Sequence, residues 1–72
     1  KYFNRGVVRA ELEEFVSAID DYNKAIELDK TDGVLYNYRG VAFYNTGQLE
    51  KAIADYNEAI RLNAKDPLFY QN

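Results

Sequence analysis

The stretch Ala18-Ile19-Asp20-Asp21-Tyr22-Asn23-Lys24-Ala25-Ile26-Glu27-Leu28 returns 34 residues later as Ala52-Ile53-Ala54-Asp55-Tyr56-Asn57-Glu58-Ala59-Ile60-Arg61-Leu62. Sliding the whole chain by that offset pairs residues 1–38 with residues 35–72, and 14 of the 38 pairs are identical. Chance for this composition gives roughly three. The matches reach beyond the quoted stretch to Tyr2/Tyr36/Tyr70, Arg5/Arg39, Gly6/Gly40, Val7/Val41 and Asp32/Asp66, and no gap is needed anywhere. A fixed, gapless period of this size marks a stacked repeat architecture.

Each period holds two amphipathic helical stretches. In the second of each, apolar residues recur at Phe15, Ala18, Ile19, Tyr22, Ala25 and Ile26, and again at Leu49, Ala52, Ile53, Tyr56, Ala59 and Ile60. Those steps keep them on one helical stripe. The first stretch is clearest where Leu35, Tyr36, Tyr38, Val41, Ala42, Phe43 and Tyr44 cover most of the circumference. Such a helix is contacted on most sides, so it lies between neighbours and the more charged helix lies outside.

The punctuation agrees with this reading. Asp32 and Asp66 stand at N-cap positions, and Pro67 follows at a first helical position, where its missing N–H is harmless. Gly47 breaks the second period with a residue suited to a left-handed turn, whereas Glu13 occupies the same place in the first. A positive φ at Glu13 costs roughly 1 kcal/mol, so the first turn is expected to be looser or reshaped. The expected helices cover 2–11, 15–28, 34–45 and 49–62, with a fifth beginning near 67.

Composition narrows the function classes. The 72 residues contain neither cysteine nor histidine and carry a formal charge of −3. Disulfides, thiolate metal sites and the commonest general base are therefore excluded. Lys and Arg are scattered singly, which argues against a nucleic-acid partner. No apolar run is long enough to span a bilayer, so no membrane partner is expected, and the N-terminal residues lack a signal-peptide pattern. The absence of cysteine is compatible with the cytosol, and the compartment stays open.

A 34-residue, two-helix repeat resembles the tetratricopeptide repeat. The family's first helix carries a large aromatic, then Leu-Gly, then a second aromatic; the matching residues are Tyr36, Arg39-Gly40 and Phe43. Its turn glycine, small residue, aromatic and second small residue correspond to Gly47, Ala52, Tyr56 and Ala59, with Ala18, Tyr22 and Ala25 one period earlier. Arg5 and Arg39 depart from the usual leucine, Arg9 from the second aromatic, and Lys30 and Ala64 from a closing proline; these departures weaken the first repeat. The resemblance implies an all-α, right-handed superhelical solenoid of antiparallel helix hairpins, divided into repeats at about 1–32 and 33–66 with a third starting at 67–72. Gly6 and Gly40 are then close-approach positions, with Ala18 and Ala52 as the small surfaces opposite, and Tyr22 and Tyr56 fill the space between hairpins. Tyr2, Tyr22, Tyr36 and Tyr56 read as core.

The resemblance further implies a non-catalytic interaction scaffold that needs no cofactor and binds a peptide or partner protein on the concave face of the first helices. By helical phase that face carries Phe3, Asn4, Val7, Ala10 and Glu11, then Asn37, Tyr38, Val41, Tyr44 and Asn45, then Leu68, Gln71 and Asn72. Amides with both donors and acceptors suit the main chain of an extended peptide, and aromatics give contact area at low entropy cost. The competing reading is that several of these aromatics are packing between repeats. Some relatives clamp a C-terminal carboxylate with Lys, Asn and Arg. The corresponding places hold Phe3, Val7, Tyr38, Leu68 and Asn72, so four of the five cannot serve.

Two further signals point to structure. Asp29–Gly33 resembles a calcium loop only superficially, because the twelfth position is Gly40 instead of a bidentate glutamate. Asp20 and Asp21 diverge by about 100° on a helix and are not a catalytic pair; Asp20 suits an exposed pair with Lys24. Asp21 and Asp55 recur together, which points to a structural role in each repeat. Leu68, Phe69 and Tyr70 would lie on an open end, so the expectation is a longer array or a homo-oligomer closed by another copy.

Overall fold

The computed structural model describes residues 1–63. Four helices follow one another: α1 (Tyr2–Glu11), α2 (Phe15–Leu28), α3 (Gly33–Asn45) and α4 (Leu49–Asn63). Three lie at the expected places to within a residue. The third starts one residue early, at Gly33, because Asp32 caps it: its carboxylate accepts the Val34 N–H at 3.0 Å. The expected fifth helix, with Asp66, Pro67 and the open-end residues Leu68, Phe69 and Tyr70, falls outside the described residues.

Each helix packs on the next, α1 on α2, α2 on α3 and α3 on α4, while α1 and α3 touch only lightly. Short turns make neighbours antiparallel, so α1 and α3 run in the same sense side by side. The core runs through the middle of this stack. Ala18, Tyr22 and Ala42 form its centre, and Ala25, Ile26 and Leu35 extend it.

The turn at Glu13 is not loosened. Glu13 has φ 63° and Gly47 has φ 80°. Around them the backbone bonds correspond one to one. Glu13 N–H donates to Ala10 and Glu14 N–H to Arg9 at 2.9 and 2.8 Å; Gly47 donates to Tyr44 and Gln48 to Phe43 at 3.0 and 2.9 Å. Two backbone hydrogen bonds outweigh the roughly 1 kcal/mol of left-handed strain, so the glutamate accepts the glycine's geometry.

Gly6 and Gly40 are close-approach sites, but against other atoms than expected. A Cβ on Gly6 would meet the Tyr22 ring at 2.6 Å and the Asp21 Cβ at 3.2 Å. At Gly40 the Tyr56 ring and the Asp55 Cβ stand at 2.9 and 3.2 Å. Each glycine thus admits a tyrosine and an aspartate of the paired helix, rather than facing Ala18 or Ala52. Of the four tyrosines read as core, only Tyr22 is sealed; Tyr2, Tyr36 and Tyr56 are half-buried. The Tyr36 hydroxyl donates to the Lys30 carbonyl at 3.1 Å, and the Tyr2 ring is flanked by Lys1, Arg5 and Lys24. No described element covers the outer side of Tyr56.

The arginines that depart from the family pattern are explained by those aspartates. Asp21 is fully buried, and Arg5 forks onto it, Nη2 donating at 2.8 Å and Nε at 3.1–3.2 Å. One period later Arg39 donates to Asp55 through Nε and Nη2, both at 2.8 Å. Arg9, standing where Phe43 stands in the second period, adds a bond to Asp21 at 3.0 Å. The first repeat is therefore bridged instead of weakened. The Arg5 hydrogen bond holds the Asp21 carboxyl below its ordinary 3.8 against the opposing effect of burial, with Arg9 and Lys24 assisting. Arg39 also donates Nη1 to the Asn23 side chain at 2.9 Å, tying the second hairpin to the first. The exposed Asp20–Lys24 pair is present at 3.9 Å.

Arg39→Leu strands the Asp55 carboxylate at a site where only 7% of that side chain is exposed. The expected loss in urea denaturation is about 2–4 kcal/mol, and adding Asp55→Ala should recover all but about 1 kcal/mol of it. Additive losses in the double variant would show that the two side chains do not act as a couple.

Candidate functional site

The site grows from the parallel arrangement of α1 and α3 across α2. Between their C-terminal halves lies a cleft of about 360 Å³. Val7, Ala10 and Glu11 line it from α1, Tyr38, Val41, Ala42 and Asn45 from α3, and Phe15 and Tyr22 from α2. A depression of similar volume at Gly47–Lys51 is made by a single turn and its following helix start, with no buried polar group.

The floor is set by the core. Gly6 lets Tyr22 pass under α1, and the Tyr22 ring then meets Phe3 and Tyr38, each at 6.2 Å between centroids. Phe3 and Tyr38 close the triangle edge-to-face at 5.0 Å. This three-ring cluster joins α1, α2 and α3 and walls the cleft at one end.

Tyr22 is 1% exposed, and no described residue hydrogen-bonds its hydroxyl. Yet no side-chain nitrogen or oxygen among the described residues is both sealed from water and without a partner. The Tyr22 hydroxyl therefore keeps a small accessible area, on a side chain that lines the cleft. Burial pushes this phenol above its ordinary 10.0, and Tyr38, Asp21 and Glu11 push it the same way. It stays a neutral hydroxyl at physiological pH, able to donate and to accept.

Charge around the cleft has one sign. Among the described residues Glu11 is the only acidic or basic one lining it. The cations of α1, Arg5 and Arg9, are turned onto Asp21. The C-terminal ends of α1 and α3 add negative potential on the same flank. Asn45 stands one period after Glu11, and its Nδ2 donates to the Val41 carbonyl at 2.9 Å.

The phase-derived surface residues fall into three groups. Val7, Tyr38, Val41 and Asn45 line the cleft, with Ala10 and Glu11 beside them. Asn4, Asn37 and Tyr44 are exposed along the same two helices, outside the cleft. Phe3 is half-buried in the ring cluster, so its main part is in packing. Leu68, Gln71 and Asn72 lie outside the described residues. Phase on α1 and α3 could not supply Phe15 and Tyr22, because they reach the cleft from α2.

A family model for the tetratricopeptide repeat matches the chain twice, over residues 1–32 and 34–66. The chain belongs to the tetratricopeptide repeat family. No curated protein matches it at a significant level. Tetratricopeptide repeats are in general protein-interaction scaffolds and typically have no catalytic activity of their own. In this tetratricopeptide chain the leucine position of the family pattern carries an arginine in both repeats, and each has its aspartate on the paired helix. Among the described residues no cluster of three His, Cys, Asp or Glu could hold a metal ion, and no helix is long and apolar enough to cross a membrane.

Because the Tyr22 hydroxyl has no partner among the described residues, Tyr22→Phe should change stability by less than about 0.5 kcal/mol. Tyr22→Ala, which empties the ring's place at the centre of the core, should cost about 3–5 kcal/mol. Urea denaturation of both variants checks this; a large loss on Tyr22→Phe would mean the hydroxyl is bonded.

Proposed function

We propose that the chain is a non-catalytic scaffold that binds a peptide or a segment of a partner protein on the face made by α1 and α3. The observation that carries this is the surface along α3. Asn37, Tyr38, Val41, Tyr44 and Asn45 are all exposed on one helix that is otherwise packed between α2 and α4. Large apolar and aromatic side chains left bare beside amides are the composition of a recognition surface. Asn4, Val7 and the accessible edge of Phe3 continue it on α1, and Gln71 and Asn72 are assigned to it from their place in the period. The reading includes no cofactor, no nucleic-acid partner and no membrane partner.

The test is selection from a displayed peptide library, followed by mapping the chosen peptide on the ¹⁵N spectrum of the chain. Perturbed amides should cluster on α1 and α3. Tyr38→Ala and Tyr44→Ala should each weaken binding roughly tenfold, as hot-spot aromatics do. Lys24→Ala, on α2, should leave it unchanged. A peptide that maps onto α2 and α4 alone would sink the proposal.

A second reading has its own observation. Ile26 on α2 is 8% exposed under α3, whereas its counterpart Ile60 on α4 is 59% exposed and Ile53 is 57% exposed. That stripe matches one which elsewhere in the chain is covered by the next hairpin, so we also propose that a further repeat or another copy stacks on it. If copies stack, light scattering over a hundredfold range of concentration will show the mass rising above 8.3 kDa, and Ile53→Glu will suppress the rise. A constant monomer mass would rule out the copy.

A further inference from the structure

We propose that the cleft between α1 and α3 selects a lysine or arginine side chain of an extended partner peptide. Its aliphatic stem would lie along Val7, Val41 and Tyr38, and its cationic head would meet the Glu11 carboxylate. The inference rests on the reading of this face as the peptide-binding one, and adds the chemistry of what it prefers.

Three features point the same way. Among the described residues Glu11 is the single acidic or basic group lining the cleft, and the arginines on its own helix are held at Asp21. Tyr22, 1% exposed, lines the cleft, and its hydroxyl, which can accept as well as donate, has no described hydrogen-bond partner. Asn45 uses one of its two amide N–H groups on the Val41 carbonyl, and its amide oxygen has no described donor. The described lining thus offers acceptor oxygens to a cationic head, and the Glu11 carboxylate supplies the charge.

The walls suit a side chain with an apolar stem. Val7 and Val41 occupy equivalent positions one period apart, and Tyr38 adds a ring surface that a cation can also approach. A volume of about 360 Å³ is at the small end for ligand sites, sized for a side chain rather than a large cofactor. The chain already uses the same chemistry internally, where the Arg39 guanidinium lies 5.5 and 5.6 Å from the Tyr36 and Phe43 ring centroids. An acidic side chain would meet Glu11 and two helix C-terminal ends, all of its own sign.

The experiment is a ¹⁵N titration with short blocked peptides, identical except for a central lysine, norleucine or glutamate. Lysine should shift the Glu11, Tyr38 and Asn45 amides. Norleucine, with the same stem and no charge, should bind the same place at least roughly threefold more weakly, and glutamate should not bind. Glu11→Gln, a change at an exposed helix end, should weaken the lysine peptide roughly three- to tenfold and leave norleucine unchanged. Equal affinity for lysine and norleucine, binding of the glutamate peptide, or indifference of the lysine peptide to Glu11→Gln would each overturn the preference. If none of the three binds while a library-selected peptide maps onto α1 and α3, the cation preference falls and the face stands. If the selected peptide maps elsewhere, both fall.

Discussion

Two buried carboxylates decide how this chain packs. Asp21 and Asp55 sit where each hairpin closes, and a charge there is costly unless it is fully hydrogen-bonded. The forked guanidinium is the donor that fits, and it can reach only if the helices hold a fixed rotation and stagger. Arg5 and Arg39 therefore act as gauges of α1 against α2 and of α3 against α4. Apolar contacts alone would permit sliding by a fraction of a turn. The ion pairs do not, because an unpaired buried carboxylate is the alternative.

The site inherits its geometry from that constraint. Once Asp21 is fixed, the next residue, Tyr22, must pass beneath Gly6, and its ring is delivered into contact with Phe3 and Tyr38. Its hydroxyl has no described partner. One side chain thus both fills the core and lines the cleft. The rest of the cleft follows from equivalent positions on two helices running in the same sense, with Val7 beside Val41 and Glu11 beside Asn45.

Much of this was legible in the residues and some was not, for physical reasons. Helix placement, the Asp32 cap and the left-handed turn at Glu13 depend on local sequence, and local sequence carried them. The same reasoning expected the Glu13 turn to loosen, because it weighed one residue's strain without the two backbone bonds that oppose it. Arg5 and Arg39 looked like defects, since a match to a pattern is judged position by position, while their partners lie sixteen residues away on another helix. The available signal was that an arginine and an aspartate recur together at the same period. Helical phase found the α1 and α3 residues of the cleft apart from Ala42, but could not find Phe15 or Tyr22, because phase on one helix says nothing of what rises from another beneath it. It also placed Phe3 on the surface, where ring contacts draw it inward.

The bond from Arg39 to Asn23 differs in kind from the one to Asp55. Within a hairpin the partners are opposite charges; between hairpins the arginine meets a neutral amide. Each buried carboxylate therefore finds its cation inside its own two-helix unit and does not depend on the neighbour. Whole hairpins of this kind could be duplicated, lost or reordered without leaving a bare carboxylate behind. A single helix exchanged for one of the leucine type could not. The unit that can be inherited as a block is the hairpin, with its boundary drawn by electrostatics as well as by sequence period.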